Sequence, residues 1–194
     1  MELGLFVYEK LITVEVDDYC MSSCANYVFT AAPRKEIDNT DIIGLHGGAL
    51  SLKKNVHYSQ ALKVEVNKFI SSCDWSRQSQ LLKDGIFVLR ESYIEAECQF
   101  YQMIGVSNLI VLIGDLYAQK NNLDILYWQY SIPSLSLLGV TNVHLQYRDE
   151  ATNKKPSAKY ISIPQEVVKH YLDSNSAKSS LWLQSIKKDG FVPH

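Results

Sequence analysis

A chain of 194 residues has room for one domain with a sizeable hydrophobic core. Its hydrophobic fraction of 46% and charged fraction of 21% are ordinary for a globular protein. The net charge is −2 and the basic residues are scattered, which argues against a nucleic-acid partner. The most apolar stretch, Ile104 to Gly114, is too short to span a bilayer, so we expect no membrane insertion.

The first quarter of the chain predicts alternating helices and strands. Glu2 to Lys10 is predicted to be helical, and Leu11 to Val16 has the alternating apolar pattern of a strand. A helix rich in small residues is predicted from Ser22 to Ala32, ended by Pro33, and a short buried strand from Ile42 to Leu45. This strand–helix–strand order predicts parallel pairing through a right-handed crossover.

The remainder of the chain predicts helices in the middle and mixed elements afterwards, which makes the class α/β. The predicted helices are Leu62 to Ile70, the tract Gln78 to Ile104, a short helix capped by Ser131 with Pro133 in its first turn and Gly139 at its end, and Pro164 to Tyr171. The predicted strands are Ser107 to Ile113, Ile125 to Tyr130 and Val143 to Tyr147. The predicted loops are Gln119 to Asn122, Arg148 to Pro156 and Asn175 to Ser180.

The four cysteines are too few for a fold held together mainly by disulfides. Cys20 and Cys24 are expected to be small buried side chains where a helix meets a sheet. The alternative is a metal or redox role together with His46, although one C-x3-C pair is a weak zinc signal. Phosphate-binding and dinucleotide-binding glycine motifs are absent from the sequence, so we predict no organic cofactor. Serine hydrolysis needs no metal in the domain, and we predict none.

Ser22, Ser23 and His46 are the side chains that could carry chemistry. The two serines stand at the predicted start of the small-residue helix, where free backbone amides and the positive end of the helix dipole are available. His46 ends the next predicted strand, and parallel neighbours in an α/β sheet bring their carboxyl ends together. A serine nucleophile needs a base in hydrogen-bond reach, which His46 would supply. The plain alternative is a helix-capping serine and an ordinary polar histidine.

The segments "CMSSCANYVFTAA" and "IIGLHGG" resemble the Clp protease proteolytic-subunit/crotonase superfamily. They are most similar to its periplasmic Clp-protease-like predicted serine peptidases, which show C-x-S-[AS]-C, a helix, and a strand ending in G-x-H. The resemblance implies a mainly parallel α/β fold of stacked ββα units. It also implies Ser22 as the nucleophile and His46 as the general base, with Ser23 as an alternative nucleophile. If Ser22 is the nucleophile, the resemblance implies that the backbone amide of Ser23 is one of the oxyanion donors.

The third member of the triad follows less directly from the same resemblance. The segment "YSIPSLSLLGVTNV" resembles the superfamily's strand, short helix, glycine and final strand, and in the superfamily an aspartate stands shortly before that helix. Asp124 matches by position. Asp115 is the second choice and Glu97 the third.

The chain departs from the superfamily pattern before Cys20. An earlier strand ending in Gly-Gly completes the oxyanion hole in the family, and Gly4 alone does not replace it. Loss of one oxyanion donor typically costs about 10²- to 10³-fold in rate. We therefore expect either a true start upstream of Met1, or a weak or inactive hydrolase. The corresponding alternative function is a non-catalytic binding or assembly module on the same fold.

The resemblance implies a Clp-protease/crotonase-like domain over residues 1–150, and we expect residues 151–194 to be a C-terminal extension of a loop and short helices, packed on the same domain. By resemblance, the partners are a peptide or protein substrate and further copies of the chain. The relatives are exported to the periplasm, whereas this N-terminus has no basic segment or cleavage site typical of a signal peptide. The sequence therefore leaves a periplasmic and a cytoplasmic location open.

Overall fold

The computed structural model describes residues 1–49, 51, 73, 91–147 and 159–173. The described strands are β1 (Val14–Glu15), β2 (Tyr19–Met21), β3 (Lys35–Asp38), β4 (Ile42–Gly44), β5 (Tyr127–Tyr130), β6 (Val143–Gln146) and β7 (Tyr160–Ile163). The helices are α1 (Glu2–Glu9), the π-helical α2 (Cys24–Phe29), α3 (Glu91–Met103), a 3-10 turn (Asn108–Val111), α4 (Ile113–Lys120), α5 (Ile132–Leu137) and α6 (165–173). None of these helices has both the length and the apolar character that crossing a membrane requires.

The strands form three small sheets in which every named pair is parallel. The sheet orders are β1-β3-β6, β2-β4 and β5-β7. An antiparallel bridge between Leu45 and Trp128 connects the end of β4 to β5. Consecutive strands therefore alternate between sheets, because β1 and β3 share one sheet and β2 and β4 share another. Along the chain, α2 follows β2 and precedes β3. The α/β class predicted from the sequence is confirmed.

The strand before the serines differs from the prediction. The expected strand Leu11 to Val16 is reduced to β1, and a separate strand, β2, leads into Ser22. Asp18 takes a positive φ of 73° at the turn between them, and its amide donates to Oδ1 of Asp41, 2.9 Å away. Strand β4 consequently pairs with β2 and not with β1. A three-residue strand such as β2 is too short to show an alternating pattern.

The prediction of a buried strand at Ser107 to Ile113 is wrong. The segment forms the 3-10 turn, and α4 begins at Ile113. Ser107 caps this turn, because its hydroxyl accepts a hydrogen bond from the Leu109 amide. Residues 108–113 are all buried, and a uniformly apolar run does not distinguish a strand from a buried helix.

Other predicted elements agree with the structure. Helix α1 is present, and α5 is capped by Ser131 as expected, with Gly139 at a positive φ of 92° after its end. Strands β5 and β6 and helix α6 lie within or near their predicted ranges. Of the tract Gln78 to Ile104, the described part is helix α3. The predictions for Leu62 to Ile70, Arg148 to Pro156 and Asn175 to Ser180 fall outside the described residues.

The core lies between helices α2, α3 and α4 and the strands. Phe29 and Tyr101 are fully buried, and Trp128 packs so closely on α4 that a Cβ at Gly114 would lie 1.9 Å from its ring. Strand β7 adds to β5, so residues beyond 150 contribute to a sheet. The division into residues 1–150 and 151–194 stays a prediction.

Lys35, the first residue of β3, is a charged side chain that is buried. Lys35 is 2% exposed, and its ammonium donates to the carbonyl oxygens of Ala32 and Thr141. Burial disfavours the charged form and lowers the pKa of Lys35 to about 8. Burial also raises the pKa of Tyr27, Tyr101 and Tyr130 above the usual range.

These shifts predict how the free energy of unfolding depends on pH. Between about pH 8 and pH 10 the unfolded chain keeps the Lys35 proton that the folded chain loses, so stability should rise, by at most about 1.4 kcal/mol per pH unit. Above about pH 10 the unfolded chain loses tyrosine protons that the folded chain keeps, so stability should fall. Urea unfolding across this range measures both limbs. Lys35→Met should flatten the rise, and exposed Lys169→Met should not; an unchanged rise in Lys35→Met would contradict the assignment.

Candidate active site

Ser22 occupies a sharp turn between β2 and α2. Its φ is +61°, a conformation that residues other than glycine seldom adopt. The Ser22 amide donates to the Gly44 carbonyl at 2.9 Å, and the Ser22 carbonyl accepts from the Asn26 amide at 2.9 Å. Hydrogen bonds on both sides therefore hold the turn. They leave the Ser22 side chain half-buried at the sheet edge, while Ser23 is exposed.

His46 reaches Ser22 because β2 and β4 are parallel and in register. Met21 lies opposite Gly44, so both strands end at the same level. Ser22 Oγ and His46 Nε2 are 2.8 Å apart. The ring Nδ1 faces the carbonyl oxygen of Gly47, which can only accept a hydrogen bond, so we assign the ring proton to Nδ1; Nε2 is then the acceptor for the serine hydroxyl. This tautomer is the one that a general base needs.

The two side chains that the sequence pairs are therefore brought together. The predicted base, His46, contacts Ser22 and not the alternative nucleophile Ser23. The Ser23 amide lies in the first turn before α2, where an amide has no intrahelical acceptor. Its role as an oxyanion donor stays a prediction. The ring of Tyr127 lies edge-on to the His46 ring, with centroids 6.1 Å apart, and forms one wall beside the imidazole.

Two glycines after His46 allow two carboxylates to lie against the backbone. A Cβ at Gly47 would come within 2.7 Å of Asp115 Oδ2, and a Cβ at Gly48 within 2.0 Å of Glu97 Oε1. Glu97 is fully buried and accepts a hydrogen bond of 2.5 Å from the Tyr27 hydroxyl. The glycines are required here for their missing side chains. The second and third choices for the triad acid thus both lie beside the segment that carries His46.

Asp124, the first choice for the acid, lies elsewhere. Its carboxylate is 2.6 Å from the Lys159 ammonium, and the two side chains are 76% and 65% exposed. The hydrogen-bond partners of the His46 ring are Ser22 and Gly47. The structure therefore does not bring Asp124 to the imidazole. Asp124 precedes β5 and the short helix α5, which is why it matched by position, but position along the chain does not reveal where its side chain points.

The four cysteines form two disulfides, Cys20–Cys24 and Cys73–Cys98. The first joins β2 to α2 and encloses Ser22. Because both sulfurs are bonded to each other, Cys20 and Cys24 have no thiolate to offer a metal. Within the described residues no group of three or more metal-ligating side chains occurs.

Asn26 is the site residue that the sequence analysis missed. It is fully buried, and its side chain pairs with both polar groups of the His46 backbone. The available signal was its position four residues after Ser22, which places it one turn along the same helix. A lone asparagine in a helix is otherwise unremarkable, so the spacing alone carried little information.

The chain was compared with protein-family models, with curated proteins and with solved structures, and no match was found in any of them. The resemblance to the Clp/crotonase superfamily therefore stays a hypothesis based on the motif.

The two disulfides should differ in what their loss costs. They close loops with sequence separations of 4 and 25 residues, for which the chain-entropy relation gives about 2 and about 3.5 kcal/mol. Urea unfolding of Cys20→Ser/Cys24→Ser and Cys73→Ser/Cys98→Ser should show the larger loss in the second variant. The unreduced native protein should not react with iodoacetamide after unfolding, whereas alkylation at any of the four cysteines would refute the pairing.

Proposed function

We propose that the protein is a serine hydrolase that acts on peptides or proteins, with Ser22 as nucleophile and His46 as general base. The observation that carries this proposal is the distance of 2.8 Å between Ser22 Oγ and His46 Nε2. A helix-capping serine needs no such partner. The positive φ at Ser22 adds support, because a strained turn that exposes a hydroxyl beside a base is costly to keep without a use.

The chemistry follows from the assigned tautomer. The Ser22 hydroxyl donates to Nε2, so His46 removes the proton as Oγ attacks a substrate carbonyl carbon. The proton then passes from Nε2 to the leaving group as the bond to it breaks. Water, deprotonated by His46, attacks the acyl-serine and releases the second product. The amide of Ser23, in the turn before α2, is the group that we assign to the developing oxyanion.

The peptidase class and the Clp/crotonase-like fold are proposals that rest on the motif, supported by the topology. Each of the first two strand pairs contributes one strand to each of two sheets, and a helix follows the first pair. This arrangement is what stacked ββα units require. Self-association is proposed on the same resemblance.

The disulfides support an oxidising compartment. Cytosolic proteins rarely keep disulfides, whereas periplasmic and secreted proteins commonly do. With all four cysteines paired, an exported location agrees better with the structure than a cytoplasmic one.

A fluorophosphonate probe tests the proposal directly, because it labels a serine only when a base activates it. The wild-type protein, folded and oxidised, should be labelled at Ser22. Ser22→Ala should abolish labelling, since the attacking oxygen is gone, and His46→Ala should slow it by about 10²- to 10⁴-fold. Ser23→Ala is the matched control and should retain labelling, because only its backbone is used.

Two outcomes would overturn the assignment. Labelling that is lost in Ser23→Ala but kept in Ser22→Ala would make Ser23 the nucleophile. A folded wild-type protein that no fluorophosphonate labels would favour the alternative, a non-catalytic binding or assembly module.

The acid that assists His46 can be identified by a matched pair of variants. We propose Asp115, because its carboxylate lies against Gly47, directly after His46, while Asp124 lies in an exposed ion pair. Asp115→Asn should slow fluorophosphonate labelling by at least about 10-fold, and Asp124→Asn by less than about 2-fold. Equal labelling rates in Asp115→Asn and the wild type would remove Asp115 from this role, and a large loss in Asp124→Asn would return the role to Asp124.

A further inference from the structure

Asn26 connects the nucleophile and the base through three hydrogen bonds. Its side-chain Nδ2 donates to the His46 carbonyl at 3.0 Å, and its Oδ1 accepts from the His46 amide at 3.3 Å. Its backbone amide donates to the Ser22 carbonyl at 2.9 Å. The same residue therefore holds the backbone of both reacting side chains.

Asn26 is itself fixed from the other side. Its carbonyl accepts hydrogen bonds from the Tyr101 hydroxyl at 2.8 Å and the Thr30 hydroxyl at 2.6 Å. Asn26, Thr30 and Tyr101 are all buried, so water does not compete for these bonds. The side-chain amide cannot rotate without leaving both its donor and its acceptor unsatisfied.

The segment that carries His46 needs such an anchor. Strand β4 ends at Gly44, and Gly47 and Gly48 follow His46 directly. Glycines leave a backbone free to take many conformations. Leu45 is fixed by its paired bonds to Trp128, and beyond it the two bonds from Asn26 are what hold the His46 peptide.

We propose that Asn26 is a positioning residue, which holds the His46 peptide so that Nε2 faces Ser22. The inference deepens the proposed function and rests on it for its catalytic meaning. Asn26 does not touch the imidazole, so it acts through the His46 backbone. A displacement of about 1 Å between reacting groups can cost about 10²-fold in rate.

Asn26→Asp is the sharpest variant, because it preserves shape and the acceptor but replaces the Nδ2 donor with an oxygen that faces the His46 carbonyl. Thr30→Val is the matched control, because it removes one hydrogen bond to the Asn26 carbonyl and leaves the Asn26 side chain intact. Urea unfolding establishes that each protein is folded and reports its stability. Fluorophosphonate labelling should be slowed about 10²-fold in Asn26→Asp and less than about 3-fold in Thr30→Val.

A spectroscopic measurement separates positioning from general stability and does not depend on activity. NMR of the histidine ring nitrogens should show that Ser22→Ala changes the His46 Nε2 chemical shift in the wild-type background, because the hydrogen bond is lost. In the Asn26→Asp background, Ser22→Ala should change that shift little, since Ser22 no longer reaches the ring. An undiminished change in the Asn26→Asp background would overturn the inference.

The two failures are distinguishable. A folded wild-type protein without labelling, but with the expected NMR result, would sink the proposed function and retain the positioning role of Asn26. Equal labelling rates in the wild type and Asn26→Asp would sink the positioning role alone. If Asn26→Asp does not fold, hydrogen exchange of the wild-type His46 amide decides, because an amide held by Asn26 is protected and a rapidly exchanging one refutes the anchor.

Discussion

The parallel pairing of β2 with β4 is the constraint on which the candidate site depends. Met21 opposes Gly44, and the pairing continues past the strands through the bond from the Ser22 amide to the Gly44 carbonyl. A shift of one residue in this register would turn His46 to the other side of the sheet, because side chains alternate along a strand. The distance between Ser22 and His46 is therefore a property of the sheet, reached without a flexible loop between strand and serine.

The site is built at some expense to stability. Ser22 takes a positive φ, and Glu97 is a fully buried carboxylate, which is costly unless hydrogen-bonded. The Tyr27 hydroxyl supplies one hydrogen bond, and Gly48 allows the carboxylate to approach the backbone. The Glu97 charge also contributes, after burial, to the raised pKa of Tyr27, so the phenol stays protonated as the donor. The Glu97 carboxylate, the Tyr27 hydroxyl and Gly48 thus depend on one another and lie beside the segment that carries His46.

Element order alone made the serine–histidine pairing one of two open interpretations, and the motif resemblance favoured it. A serine that starts a helix and a histidine that ends the next strand come close when the two strands are parallel neighbours, because parallel strands end at the same edge of the sheet. Ser22 and His46 meet as expected although one of the two strands was predicted wrongly. The prediction assumed Leu11 to Val16 as the neighbour of Ile42 to Leu45, whereas β2 takes that place.

The surroundings of the pair were not predictable in the same way. We ranked the candidate acids by position along the chain, as Asp124, Asp115 and Glu97. That position does not determine where a side chain points, because the segment Ser107 to Ile113 forms a 3-10 turn and the start of α4 in place of the predicted strand. Helix α4 begins at the end of that segment, and its first turn is what carries Asp115 towards Gly47. A buried apolar run hides this choice, because strand and helix bury it equally well.

Constraints from several directions meet at Ser22, and each removes a different freedom. The bond to Gly44 fixes the amide, the Cys20–Cys24 disulfide ties the strand before the serine to the helix after it, and Asn26 fixes the Ser22 carbonyl. A turn with a positive φ relaxes if any neighbouring segment is free to move, since relaxation recovers the strain energy. Asn26 hydrogen-bonds both the Ser22 carbonyl and the backbone of His46, so the serine turn and the histidine segment are held by the same residue. This coupling is the physical reason to regard the serine turn and the histidine segment as one unit.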